Sequence, residues 1–374
     1  MLKKQFFMVM AFLGMMLLTS NFAYAKVVNI GALIPMTGQG AAYGVIFQQS
    51  INLAINDVNK SLRPENIKLV VHYMDHQAST SVGVSGFYTL ERLYHCPVIL
   101  SSYSNVSMAV GSLGNRYKVL VINAGGQGNM LGGSYPYLIN TIPLVGEETK
   151  ALAKYLVQNK HFKTAAILYD SNEGGESAKD SFKKFFEQYG GKIVITEGAK
   201  LGSTNFRSQL INIRSKRPDV IYLATYGDDT SVIATQAKEL KIEIPLVENS
   251  WSLIPPVLKN PNSNGMIVTY VALKASPEFL KEYKQLYGSE PESIYPIAFY
   301  NAVQVVAQSL KYIISKGWKI EGESFLKAVH AIKTFKSPAS GNFTIRENGT
   351  VATPVGIGVI ENGTVKPIMI VTNK

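Results

Sequence analysis

The chain has 374 residues and a single cysteine, Cys96. No internal disulfide can brace it, so its stability has to come from a packed core. Cys96 lies in Tyr94-His95-Cys96-Pro97, just ahead of an apolar strand, and reads as a buried inert thiol rather than a nucleophile. The five histidines (His72, His76, His95, His161 and His330) are scattered, with no H-E-x-x-H or comparable metal-ligand spacing. There is no G-x-S-x-G nucleophile elbow and no low-complexity tract. Lys and Arg outnumber Asp and Glu by 37 to 26, a net charge of +11. The basic residues are dispersed, as Lys179, Lys183 and Lys184 on one predicted helix and Lys238 and Lys241 on another. With neither a block of like charge nor a basic-aromatic stripe, nucleic acid is not an expected partner. N-x-S/T matches such as those at Asn105, Asn342, Asn348 and Asn362 are read as chance occurrences in the absence of disulfides or a membrane span.

What is present begins with a leader. Lys3 and Lys4 precede an apolar run over 6–18, and Ala23-Tyr24-Ala25 forms an A-x-A cleavage site. That run is short of the ~20 residues a membrane span needs. Residues 1–25 therefore read as a cleaved secretory signal. No cysteine stands at the cleavage site to take a lipid. The mature chain is expected to start at Lys26 in the periplasm, and its 349 residues suggest two domains.

The stretch over 27–59 sets the pattern. An apolar strand (27–34) runs into the loop Pro35-Met36-Thr37-Gly38-Gln39-Gly40, and a helix follows with Phe47, Ile51, Ala54, Ile55 and Val58 on one face. Such a strand, Gly-rich turn and helix open a doubly wound α/β domain, whose ligands sit outside the carboxyl ends of the strands. Strands over 67–74, 98–100 and 119–122 alternate with helices, which implies a parallel sheet with right-handed crossovers. After a crossing segment over 137–143 the rhythm restarts, with strands near 165–169, 193–196, 220–224 and 245–247. Past Gly265 a helical section appears, followed by a β-rich end in which Asn362-Gly363 is a hairpin turn. Two similar successions, followed by helices that return to the first, predict two lobes joined by several crossings. The expected lobes are 26–143 with about 273–346, and 144–272 with about 347–374.

The order of these elements, the opening Pro35-Met36-Thr37-Gly38, Ser104 on the third βα loop and Tyr300-Asn301-Ala302-Val303 in the late helix resemble the periplasmic leucine/isoleucine/valine-binding protein family. The resemblance covers 27–374. It implies a type I periplasmic binding fold of two Rossmann-like lobes. It further implies a non-enzymatic solute-binding component of an ABC importer, closing by a hinge on a branched-chain or related amino acid. No cofactor is expected. The expected partner is an inner-membrane permease, and the chain is expected to be a monomer or weak dimer. Open beside it stands the same fold binding an aromatic acid, amide or urea-like solute, or serving a membrane receptor as a sensor.

The resemblance assigns Tyr43 and Tyr226 as aromatic walls of the cleft. It puts ligand-carboxylate contacts at Gly125 and Gln127, where Gln127 replaces an expected hydroxyl. Gly174 stands where the family has a tyrosine. From the residues themselves, Ser104 beside free helix amides suits a carboxylate, or acts as an N-cap. The ammonium-binding acid is expected just after the strand over 245–247. Here Glu248-Asn249-Ser250-Trp251 puts an acid about two residues early. Glu248 or Asp228 is the candidate ammonium partner; otherwise Trp251 stacks on an aromatic or amide ligand. A dinucleotide enzyme is a competing reading of Gly38-Gln39-Gly40-Ala41-Ala42-Tyr43-Gly44, with Asp75 as the ribose acid. The spacing is one residue too long for that fingerprint, and Pro35 spoils its tight turn.

Overall fold

In the computed structural model, which describes residues 25–273, 275–291 and 293–371, the alternating pattern resolves into two sheets. Of the predicted leader over 1–25, residues 1–24 lie outside the described residues. The first sheet is all parallel, in the order β2-β1-β3-β4-β5: β1 Lys26–Ile34, β2 Ile67–Asp75, β3 Val98–Ser101, β4 Leu120–Asn123 and β5 Leu138–Asn140. Helices α1 Ala41–Leu62, α2 Thr80–Arg92 and α3 Ser104–Tyr117 make its crossovers. β3 and β4 are buried along their whole length, because helices cover both faces of a parallel sheet.

The second sheet is larger, in the order β14-β13-β10-β9-β8-β6-β7. Its parallel part comprises β6 Thr164–Asp170, β7 Lys192–Ala199, β8 Val220–Ala224, β9 Leu246–Glu248 and β10 Ile267–Val271. Its crossovers run through α4 Val145–Gln158, α5 Glu173–Gln188, α6 Arg207–Ser215, α7 Gly227–Glu239 and the short α8 Pro255–Leu258. The hairpin β13 Val355–Glu361 and β14 Thr364–Val371 closes the edge in antiparallel fashion. Asn362 and Gly363 turn it with φ of 51° and 81°, the two positive values a type I′ turn requires.

Between these segments, α9 Pro277–Tyr287, α10 Tyr295–Ser315 and α11 Gly322–Ile332 return to the first sheet. Tyr287 Oη donates to the Gln49 carbonyl on α1 at 2.8 Å, and α10 packs along α1. A small hairpin, β11 Thr334–Ser337 with β12 Gly341–Thr344, follows. The chain thus passes between the two lobes in three places, and the passages are tied together. Asn140 N donates to Gly349 O at 2.7 Å, and Ala272 N donates to Pro354 O at 2.8 Å. Two doubly wound lobes joined by a multi-crossing hinge are the architecture the sequence pattern implies.

Each sheet reverses its winding beside its first strand: between β1 and β3 in one, between β6 and β8 in the other. Loops after those strands open a crevice at such points. The two crevices face each other across the seam.

Candidate ligand cleft between the lobes

Tyr43 enters the seam from the first turns of α1. Its hydroxyl donates to Trp251 O at 2.8 Å and accepts from Gly227 N at 2.8 Å. One first-lobe side chain therefore holds two backbone groups of the second lobe. Gly44, the next residue, has to be glycine: a Cβ there would fall 1.8 Å from Pro35 O. That close approach seats α1 on the loop after β1. Asp75 fixes the same loop from β2, accepting from Met36 N at 2.8 Å, from Gln77 N at 3.0 Å and from the Thr37 hydroxyl. Asp75 is thus occupied as a loop brace and not as a ribose acid.

Tyr103, between Ser102 and Ser104, has φ 61° and carries its ring into the seam. It stacks on Tyr226 at 4.9 Å between centroids, and Tyr226 stacks on Trp251 at 5.0 Å. Tyr43 meets Tyr103, Tyr226 and Tyr295 edge-on. All five rings are buried, and each such contact contributes on the order of 1 kcal/mol beyond the area it hides. Tyr103 and Tyr295 had no role in the sequence reading. Tyr103 sits among loop serines, and Tyr295 is the first residue of α10.

Ser104 is the first residue of α3, and its Oγ accepts from Gly128 N at 2.9 Å. It also lies beside the Tyr226 hydroxyl. Gly174, in the first turn of α5, faces the same spot: a Cβ there would stand 2.4 Å from Tyr226 Oη. The tyrosine the resemblance expects at Gly174 is replaced because the Tyr226 side chain fills that space from the neighbouring loop. Asp228 sits half-buried in the first turn of α7, where burial raises its pKa, and its charge acts on the Tyr103 hydroxyl.

Two expected contacts lie elsewhere. Gln127 is buried, and its Nε2 donates to Glu148 Oε1 at 2.7 Å and to Pro143 O at 3.1 Å. Its Oε1 accepts from Tyr295 Oη at 3.4 Å. The Gln127 side chain is therefore committed to the hinge. Gly125 is packed inside the first lobe: a Cβ would meet Ser102 Cβ at 2.6 Å and the Phe47 ring at 3.1 Å.

The acids divide into paired and unpaired. Glu148, on α4, receives Gln127, Ser250 N at 2.8 Å, Ser250 Oγ at 3.0 Å and the Thr269 hydroxyl. Burial still raises its pKa against those four donors. Glu248, at the end of β9, is fully buried with both oxygens lacking a hydrogen-bond partner. Burial raises its pKa strongly, and the charges of Asp170 and Glu148 raise it further. Its own charge reaches the hydroxyls of Tyr43 and Tyr295, which places the carboxylate at the seam. Asp170, at the end of β6, accepts from Tyr226 N at 2.8 Å through Oδ2, while Oδ1 has no partner. The Thr230 hydroxyl lies beside Glu248, and the Asp229 carboxyl lies beside Asp170. Asn249 is fully buried with both amide atoms unpaired. Among the described residues no group of His, Cys, Asp and Glu could hold a metal ion.

In the first lobe the corresponding groups are satisfied. His76 Nδ1 accepts from Ala78 N at 2.9 Å, so its Nε2 carries the proton and donates to Ser102 Oγ at 2.9 Å. Burial lowers its pKa to about 4. Asn123 accepts from Ser107 Oγ and Gly126 N and donates to Gly126 O and Asn140 Oδ1.

The chain resembles known proteins over almost its whole length. The leucine-, isoleucine-, valine-, threonine- and alanine-binding protein of Pseudomonas aeruginosa is 22% identical over 332 residues, covering 87% of each chain. The Leu/Ile/Val-binding protein homolog 3 of Brucella melitensis is 20% identical, covering 90% of this chain and 91% of its own. A leucine-binding protein from Thermotoga maritima superposes with a TM-score of 0.84 at 20% identity, over 92% of this chain and 98% of its own. A solute-binding protein of an ABC transporter from Rhodopseudomonas palustris, solved with 4-hydroxybenzoate, gives 0.82 at 20% identity over 93% and 98%. Residues 27–364 match the model of a periplasmic binding protein. That match runs from β1 through β13 and takes in both lobes with all three crossings, so the chain belongs to the periplasmic binding protein family.

Proposed function

We propose that this protein is the periplasmic solute-binding component of an ABC importer. In this reading residues 1–25 direct export. The lobes, 26–143 with 273–346 and 144–272 with 347–374, close as a hinge over a small solute. The closed form then docks on an inner-membrane permease. Closure has to be driven by contacts that exist only when both lobes meet.

The observation that supports this best is the seam itself. The Tyr43 hydroxyl, the Tyr103–Tyr226 stack and the Asn129 N to Ser177 Oγ bond at 2.8 Å all join one lobe to the other. A solute with an amino group, such as a branched-chain or related amino acid, suits the unpaired acids at the ends of β6 and β9. Relatives named for leucine, isoleucine and valine favour the same class. Benzoate-type solutes, bound by relatives of the same fold, would meet no buried Lys or Arg among the described residues.

Ser104→Ala and Tyr226→Ala are the test, read by calorimetric titration with the solute found by screening amino acids. Each variant is expected to stay folded and to bind about tenfold or more weakly. Titration curves identical to the parent for both would remove the seam as the binding site.

A further inference from the structure

The second lobe buries more negative charge than it has partners for. Among the described residues the buried carboxylates are Glu148, Asp170, Asp229 and Glu248, and no Lys or Arg is buried. His76 is held neutral, with its one N–H already given to Ser102. Glu148 is met by four donors, and Asp229 Oδ2 accepts from Gly202 N at 2.8 Å. Three oxygens receive no donor: both of Glu248, and Asp170 Oδ1 in a carboxyl that lies beside that of Asp229. An ionised carboxylate accepts hydrogen bonds and cannot donate them, and leaving one buried without a partner costs several kcal/mol.

The walls around these oxygens favour one sign of charge. Tyr103, Tyr226 and Trp251 lie nearly parallel, interplanar angles 14° and 9°, and aromatic faces are electron-rich. Asp170 and Glu248 end strands on either side of β8, about 10 Å apart at two strand spacings. Tyr226 follows β8 and roofs the gap. Asn249, wholly buried with its amide oxygen and nitrogen both unpaired, adds an acceptor and a donor that are not acidic. It follows Glu248 directly at the same strand end.

We propose that the cleft takes a net-cationic organic solute, an alkylammonium or guanidinium, whose N–H groups pair with Glu248 and Asp170 while its body lies against Tyr226 and Trp251. This rests on the binding-protein reading and narrows it from amino acids in general to solutes with a surplus positive charge. Two sources share that chemistry. A basic amino acid would send its carboxylate to the N-terminus of α3 beside Ser104. A decarboxylated amine needs no such site.

The test is calorimetry on the protein expressed with its own leader, purified and refolded to strip any carried-over solute. The probes are L-arginine, L-lysine, agmatine, cadaverine, L-leucine and 4-hydroxybenzoate. The expected result is binding of at least one cation, with leucine and 4-hydroxybenzoate silent or about tenfold or more weaker. Arginine or lysine alone assigns the basic amino acid; agmatine or cadaverine assigns the amine. Glu248→Gln and Asp170→Asn should each weaken that cation about tenfold or more, while Glu239→Gln, on the exposed end of α7, leaves it unchanged. Leucine binding with the cations silent overturns the charge assignment and leaves the solute-binding reading standing. Binding of 4-hydroxybenzoate alone does the same. Silence from all six probes overturns the charge assignment as well. A cation that binds equally well to Glu248→Gln and Asp170→Asn overturns it too.

Discussion

The two lobes share a winding rule but treat their strand ends in opposite ways. At the ends of β3 and β4 the polar side chains pair with one another: Ser101 with Ser107, Ser107 with Asn123, Asn123 with Asn140. At the ends of β6 and β9, Asp170, Glu248 and Asn249 carry unpaired atoms in full burial. A satisfied network rigidifies, and an unsatisfied one waits for a partner. The first lobe is therefore a finished wall, and the second lobe holds the open valences.

Four measurements can break that contrast. Asn123→Ala should cost the most, about 3 kcal/mol of unfolding free energy by urea titration, because it orphans Ser107, Gly126 and Asn140 together. A loss under about 1 kcal/mol would mean the first-lobe network is slack.

The second measurement is acid titration of stability. His76 has a folded pKa of about 4 against an ordinary 6.5. Between those values the unfolded chain binds the proton and the folded chain does not. Its contribution is thus complete above pH 6.5 and is lost as pH falls toward 4. The buried acids of the second lobe act with the opposite sign. Burial raises their folded pKa values, so their cost is absent in acid and grows as pH rises. Comparing the parent with His76→Gln cancels those acids, and the parent should lose about 2 kcal/mol more between pH 6.5 and 5. Parallel curves would place the proton elsewhere.

Third, Tyr43→Phe removes the hydroxyl that holds Gly227 and Trp251. Solute affinity should fall by about 1.5 kcal/mol, with the melting temperature of the solute-free protein unchanged. Equal affinity would show that closure does not use this bridge. Fourth, Glu248→Gln removes an unpaired buried charge and should stabilise the solute-free protein by about 1 kcal/mol in urea, even as it weakens cation binding. A destabilised variant would mean that Glu248 already has its partner inside the lobe.

Legibility followed the range of the interaction. The strand over 27–34, the Asn362-Gly363 turn and the two successions of strands and helices depend on neighbours in sequence, and they were readable. Tyr226 and Trp251 were found through the resemblance, but the stacking of Tyr226 on Tyr103 depends on two lobes meeting across more than a hundred residues. Gln127 looked like a ligand contact because its real partners, Pro143 and Glu148, are gathered by the hinge. Glu148 itself follows Glu147 in the first turn of α4, where acids are ordinary company for a helix dipole. Nothing local distinguishes it as the hub of a buried network. Asp170 drew no notice in the sequence, since its importance lies in an oxygen that no donor reaches.

The chain has two tryptophans. Trp318 is 38% exposed and lies against Tyr312 on the outer surface, while Trp251 is 2% exposed and sandwiched into the seam against Tyr226. Opening the lobes would wet one indole and free its carbonyl from Tyr43, and leave the other as it was. The protein therefore carries its own optical gauge: with Trp318→Phe as background, the emission colour and intensity of a single residue follow the hinge in real time, with no dye attached.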